Sequence, residues 1–269
     1  MKTIRHLSHV AAFLAAACLP AVLQAQISVL SNTVEERVSA PGDHYSGTIV
    51  IANPTATPQT ARIYQTDYTF ASDGTSSFEP AGTTPRSNAS WVLPQSTRVV
   101  VPANSQLAVQ YTVTVPAGDS LHGTYWSMVM VEGTANDPGA SKPGAKPSMQ
   151  LGAVVRYAIQ VATHIGFTGT RKVKFAEPDV RNVDGKATLD LDVQDTGERG
   201  YRPTLWIEVY DATGGLRAKA KQSRGLLYPG TSLRQHFDLG ALPAGTYKAV
   251  VFADTGEDSV FATQYTITF

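Results

Sequence analysis

From about residue 26 onward, apolar and polar side chains alternate along the chain. Thr48 to Asn53, Gln106 to Val115, Thr188 to Val193, Leu205 to Tyr210, Tyr247 to Phe252 and Gln264 to Phe269 all show a period of two. That period places successive side chains on opposite faces of a strand. The β-branched and aromatic residues that fill these runs suit a half-buried pleated surface. Turn signals separate them: Ala40-Pro41-Gly42-Asp43, Ser72-Asp73-Gly74 and Asp211-Ala212-Thr213-Gly214-Gly215. No stretch keeps a helical period over three turns. Many short strands without helices predict an all-β chain built from sandwiches or a barrel.

The layout occurs twice. An alternating strand runs into Val115-Pro116-Ala117-Gly118, and an aromatic strand follows at Gly123-Thr124-Tyr125-Trp126; later, Leu233 to Leu239 runs into Leu242-Pro243-Ala244-Gly245-Thr246-Tyr247. Both repeats start a late strand with Tyr, as a tyrosine corner does in immunoglobulin-like sandwiches. The expectation is two tandem immunoglobulin-like β-sandwich domains, residues 26–166 and 167–269, both of ordinary domain size. Gly133 to Pro147, rich in Gly, Pro, Ala and Lys, reads as a long loop between two strands of the first domain.

The first 25 residues have a different pattern. Lys2 and Arg5 precede an uncharged, mostly apolar run from Val10 to Leu23, and Leu23-Gln24-Ala25 ends in a small residue. This is the layout of a cleaved secretory signal peptide, too short for a membrane span. Cys18, the one cysteine, lies inside it and is either an apolar filler or a lipidation site. No disulfide can form within the chain. The expected location is therefore the periplasm, or else the cell surface or medium, with no membrane span in the mature chain.

Composition narrows the function. Lys plus Arg number 22, Asp plus Glu number 22, and only 16% of residues are charged. A nucleic-acid binder normally carries a basic excess, and a chain that is 42% apolar is not disordered. Motifs for catalysis are weak. Ser120 with His122 lies in a strand-to-strand turn and lacks a third orienting group. His44, His122, His164 and His236 show no metal-ligand spacing and are expected at the surface or at strand edges. Asp190 and Asp192 alternate with leucines as the solvent face of a strand would, although with Asp195 they resemble a calcium cluster. Asn88-Ala89-Ser90 is a formal glycosylation sequon. Arg171-Lys172-Val173-Lys174 reads as a solvated linker or strand edge. No enzyme, metal site or cofactor is expected.

Several features of residues 28 to 165 line up with one family. Val34-Glu35-Glu36-Arg37-Val38 precedes the turn Pro41-Gly42-Asp43; an alternating strand ends at Asn53; Ala61 to Gln65 and Trp91 follow. Then come Val99 to Gln106, the aromatic strand Tyr125 to Val131, the loop, and Met149-Gln150-Leu151-Gly152-Ala153-Val154-Val155-Arg156-Tyr157. In this order they resemble the periplasmic chaperones of pilus assembly, the PapD-like family. The resemblance implies a non-enzymatic chaperone that lends an edge strand to a strand-deficient pilus or surface subunit, a form of β-strand addition, with an outer-membrane usher as a possible further partner.

It also implies site residues. Arg37 and Arg156 fall where the family grips a client's C-terminal carboxylate with two cations, a task suited to the forked guanidinium. Met149, Leu151, Ala153 and Val155 fall on the donor strand. Arg156 is an odd number of residues from that set, so a regular strand turns it to the other face. Met, Leu and Ala are modest donor side chains, Gly152 weakens the strand, and Lys186 to Phe269 reads as a generic sandwich module. Two plainer readings stand beside the pair: Arg37 as an exposed strand-face charge next to Glu35 and Glu36, and Arg156 as a residue facing solvent or paired with a carboxylate. An exported adhesion or scaffold protein of tandem modules is the alternative function.

Overall fold

A computed structural model describes residues 27–134, 154–257 and 259–269. The leader with Cys18, the loop beyond Thr134, and the predicted donor residues Met149, Leu151 and Ala153 lie outside the described residues. The first part of the chain forms ten strands: β1 (Ser28–Val29), β2 (Val34–Ser39), β3 (His44–Asn53), β4 (Gln59–Phe70), β5 (Ser76–Pro80), β6 (Val92–Pro94), β7 (Arg98–Val101), β8 (Ser105–Thr114), β9 (Gly123–Thr134) and β10 (Arg156–Ile165). The second part forms eight: β11 (Val173–Phe175), β12 (Asp179–Val183), β13 (Lys186–Asp195), β14 (Thr204–Tyr210), β15 (Leu216–Ser223), β16 (Ser232–Ala241), β17 (Thr246–Asp254) and β18 (Val260–Thr268). Gly133 and Thr134, expected in the loop, still belong to β9. Among the described residues no helix is long and apolar enough to cross a membrane.

The strands make two sandwiches. In the first, the sheet β1-β3-β8-β6 faces the sheet β2-β10-β9-β4-β5, with β7 also on β4. In the second, β11, β12 and β16 pair with β13, facing β15-β14-β17-β18. Alternation builds both cores. Ile49, Ile51, Val109, Val113, Val129 and Val131 meet in one; Leu189, Leu191, Leu205, Ile207, Phe237 and Val251 meet in the other. The second sandwich has a tyrosine corner, with the Tyr247 hydroxyl donating to Pro243 O at 2.8 Å. Tyr125 differs: its ring packs on Trp91, centroids 4.8 Å apart.

The two sandwiches meet through aromatic and backbone contacts. Trp126 of β9 stacks on Tyr228 at 4.5 Å and 8°, with Ala162 and Leu226 completing a small buried cluster. Trp126 Nε1 donates to Tyr68 O (2.7 Å) and the Tyr228 hydroxyl donates to Gln160 Oε1 (3.0 Å), so both polar tips are satisfied. Thr124 N–H donates to Glu198 O at 2.9 Å. Arg171, expected in a solvated linker, instead donates to Thr255 O and Gly256 O and pairs with Glu257 at 2.9 Å. It caps a turn of the second sandwich.

Gly123 makes the close approach possible. Its φ is +73°, and a Cβ there would stand 2.0 Å from Glu198 O. Both the left-handed backbone and the crowding exclude a side chain. Gly123→Ala is expected to loosen the junction while leaving each core intact. Limited proteolysis should show faster cutting between residues 165 and 173, with near-native far-UV circular dichroism; unchanged cutting would refute the role given to Gly123.

Candidate functional site

The site residues predicted on β10 depend on what covers that strand. The chain enters in the first sheet, where Ser28 and Val29 pair with Ala52 and Ile51 of β3. It then crosses to the second sheet, and β2 runs parallel to β10 from Val34↔Gln160 to Ser39↔Ile165. On its other side β10 pairs with β9 along its whole length, from Arg156↔Glu132 to Ile165↔Gly123. So β10 is a central strand from Gln160 onward and an edge strand from Arg156 to Ile159. Gln160 N–H donates to Thr33 O at 2.8 Å, toward β2. Alternate residues of a strand turn their backbone groups the same way. The N–H and C=O of Ala158 and Arg156 therefore face the same side, beyond the end of β2, where no strand pairs with them among the described residues. Val155 lies just before this edge, half-buried, its carbonyl accepting from Gly133 N–H at 3.4 Å.

Arg37 and Arg156 are not brought together. Arg37 aligns with Thr163, seven residues along β10 from Arg156, which at about 3.3 Å per residue is roughly 23 Å. They also face opposite ways. Ile159 and Val161 are core residues, so odd positions of β10 point inward and Arg156 points outward. Arg37, in register with the buried Thr163, is turned toward the inner side at the sandwich rim, where its charge acts on Tyr45 and Tyr111. A single grip on one carboxylate by this pair is thus replaced by two separate environments.

Arg156 pairs with a carboxylate. Its Nε donates to Glu132 at 2.8 Å, and the same oxygen accepts from Tyr64 (2.9 Å) and Arg62 (3.4 Å). Burial would raise Glu132, but Tyr64, Arg156 and Arg62 together hold it below its ordinary value. Arg37 is exposed and makes no ion pair among the described residues.

The other end of β10 carries a polar chain that sequence reading missed. Gly200 N–H donates to Thr124 Oγ1 (2.9 Å), which lies 2.7 Å from His164 Nδ1. His164 Nε2 is 3.4 Å from Glu36, and Glu36 accepts from Arg202 Nε at 3.0 Å. With Thr124 O–H donating to Nδ1, a neutral His164 carries its hydrogen on Nε2 and donates to Glu36. The chain links β2, β9 and β10 to the second sandwich. His164, expected at the surface, is 7% exposed because the second sandwich covers it. In the sequence His164 is one of several polar residues of β10, with Arg156, Gln160 and Thr163, and nothing local sets it apart.

Other candidates resolve plainly. His122 Nδ1 lies 3.0 Å from Ser120 O and its Nε2 3.0 Å from Glu198, both acceptors, and it makes no hydrogen bond to the Ser120 hydroxyl. Asp190 holds His236 at 2.6 Å and Asp192 holds Arg234 at 2.7 Å, as cross-strand pairs on the solvent face. Asn88 is buried, its amide donating to Val161 O and Thr163 Oγ1, which closes the sequon. Among the described residues no cluster of three His, Cys, Asp or Glu forms a metal site.

The hydrogen bond from His164, followed by the Arg202 guanidinium, holds Glu36 below its ordinary value despite burial. A depressed folded-state value adds stability above the unfolded pKa of 4.5, lost as pH falls through the folded value. Glu36→Gln should cost about 1 to 2 kcal/mol at pH 7. The gap from wild type should close as pH drops below the ordinary carboxylate range. Thermal melts across pH 3 to 7 with a constant gap would contradict this.

No family model and no curated protein sequence matches the chain. Among solved structures it is similar to the class 5 fimbriae chaperone CfaA, with 11% identity, a TM-score of 0.48, and coverage of 88% of this chain and 98% of that one. It is similar to a chain of the CsuC–CsuE chaperone–tip adhesion subunit complex of Acinetobacter baumannii, with 12% identity, a TM-score of 0.45, and coverage of 88% and 97%. A third is the E. coli chaperone DraB, with 14% identity, a TM-score of 0.39, and coverage of 90% and 98%. The two-sandwich architecture itself is read from the strand pairing of this chain.

Proposed function

We propose that this chain is an exported, non-enzymatic chaperone in pilus assembly that holds a strand-deficient subunit by β-strand addition. One observation carries the reading. The chain's crossing between sheets starts β2 opposite Gln160, so among the described residues no strand pairs with the backbone of Arg156 to Ile159 on one side. An extended client segment fits such an edge by main-chain hydrogen bonds. The residues just upstream, Met149, Leu151, Ala153 and Val155, would lengthen the edge and offer alternate side chains to the client's groove. A tip adhesion subunit and a pilin accompany the chaperones in two solved complexes similar to this chain, which supports a client of that class.

The two predicted cations take different parts. Arg37, exposed and without an ion pair among the described residues, is the one available for a client carboxylate at the rim beside β2. Arg156 is already neutralised by Glu132 and steadies the start of β10. This departs from a two-cation grip and makes a distinction between the residues measurable.

Ala158→Pro removes the outward N–H and leaves the odd-numbered bonds to β9 in place. Co-expressed with envelope proteins, this variant should lose the recovered subunit, whereas Ala158→Ser should keep it. Arg37→Ala should cut recovery about tenfold or more, the loss of a charged hydrogen-bonded contact, and Arg156→Ala should cut it less. Recovery of the same subunit by Ala158→Pro and wild type alike would overturn the edge assignment. Residence on the cell surface with no dependent subunit would favour an adhesion or scaffold role instead.

A further inference from the structure

The second sandwich exposes another edge. β18 closes the sheet β15-β14-β17-β18 and pairs only with β17 among the described residues. Gly245 and Phe269 exchange both backbone bonds, at 3.2 and 3.1 Å. Their register continues without a bulge to Asp254↔Val260. Odd residues of β18 therefore bond to β17, and the N–H and C=O groups of Val260, Ala262, Gln264, Thr266 and Thr268 face outward.

Four other sheet edges are blunted in the usual ways. β15 carries Arg217, Lys219 and Lys221. β16 carries Arg234, His236 and Asp238. β5 is short and holds Glu79 and Pro80, and β6 has three residues ending at Pro94. β18 has nine residues, Val-Phe-Ala-Thr-Gln-Tyr-Thr-Ile-Thr, with no charge, no Pro and no Gly. Beneath its edge runs a groove of about 490 Å³, walled on the far side by Phe175, Glu177 and Val180. Nothing in the strand opposes pairing.

The strand is also complementary to itself. A two-fold axis at Gln264 would set Gln264 opposite Gln264, Ala262 opposite Thr266 and Val260 opposite Thr268 of the second copy. All of these are outward-bonding positions, so each pair exchanges two hydrogen bonds, roughly ten in all. On the core-facing side the same register sets Phe261 against Ile267 and Thr263 against Tyr265, apolar or polar-neutral pairs throughout. An isologous contact needs this property of matching its own reverse. The geometry points to a two-fold dimer of this chain, formed by antiparallel β18–β18 pairing into one eight-stranded sheet. It leaves the β10 edge free for a client.

Gln264 is exposed and packs against no core, so its charge variants keep the fold. Like charges directly opposite each other destabilise a strand pair. Sedimentation velocity should find wild type dimeric in a concentration-dependent way. Gln264→Lys alone and Gln264→Glu alone should both be monomeric, and an equimolar mixture of the two should dimerise again. Ala158→Pro should remain dimeric while losing the client, and Gln264→Lys should capture the client while staying monomeric, so the two edges are tested separately. A monomeric wild type at every concentration would overturn the inference. So would dimers that survive both Gln264 charge variants, or dimers lost in Ala158→Pro.

Discussion

The architecture turns on how the backbone of one strand is satisfied. Buried backbone groups must find partners, and among the described residues β10 finds them on both sides from Gln160 to Ile165. The cause lies in the first residues of the sandwich. Ile27 is buried in the core and Ser28–Val29 belong to the first sheet, so the chain must cross before it can pair with β10. The length of that crossing sets the length of the open edge. A chain that stayed in the second sheet from Ile27 onward would have covered it.

The same strand also joins the two sandwiches. Its outward-facing even positions carry Gln160, Ala162 and His164, which meet Tyr228, the Trp126 stack and the Thr124–Glu36 chain. The open edge and the junction are thus successive segments of one rigid ladder. The Thr124–His164–Glu36 chain matches donors to acceptors, whereas Arg171 Nε, Asp195 Oδ2 and Arg199 Nε are buried near the junction without a hydrogen-bond partner among the described residues. Gly123 lets the backbones approach closely enough for the Thr124–Glu198 bond to form.

Edges are treated differently across the molecule. Charged side chains or proline protect β15, β16, β5 and β6, whereas β18 presents a long run of backbone and the first residues of β10 a short one. In an all-β protein an edge left without protection is a binding surface for another strand. Two such edges on opposite sandwiches fit a protein that engages a client with one and a second copy with the other.

Local patterning carried much of the fold. The period of two in Thr48–Asn53, Thr188–Val193 and Leu205–Tyr210, with Gly- and Asp-rich turns between, needs only nearest neighbours to specify strands and their buried faces. The solvent-facing placement of Asp190 and Asp192 followed from the same alternation; their cross-strand partners His236 and Arg234 did not. Distances across the sheet did not. Arg37 and Arg156 lie in similar local contexts, yet strand register sets them seven residues apart and on opposite faces. His164 and Arg171 looked like surface groups because the elements that cover them come from elsewhere in the chain. The chain's alternation determined which residues form strands and which side of each is buried; pairing order, register and the docking of one sandwich on the other decided which charges meet and which edges stay open, because those are set by contacts between residues far apart in sequence.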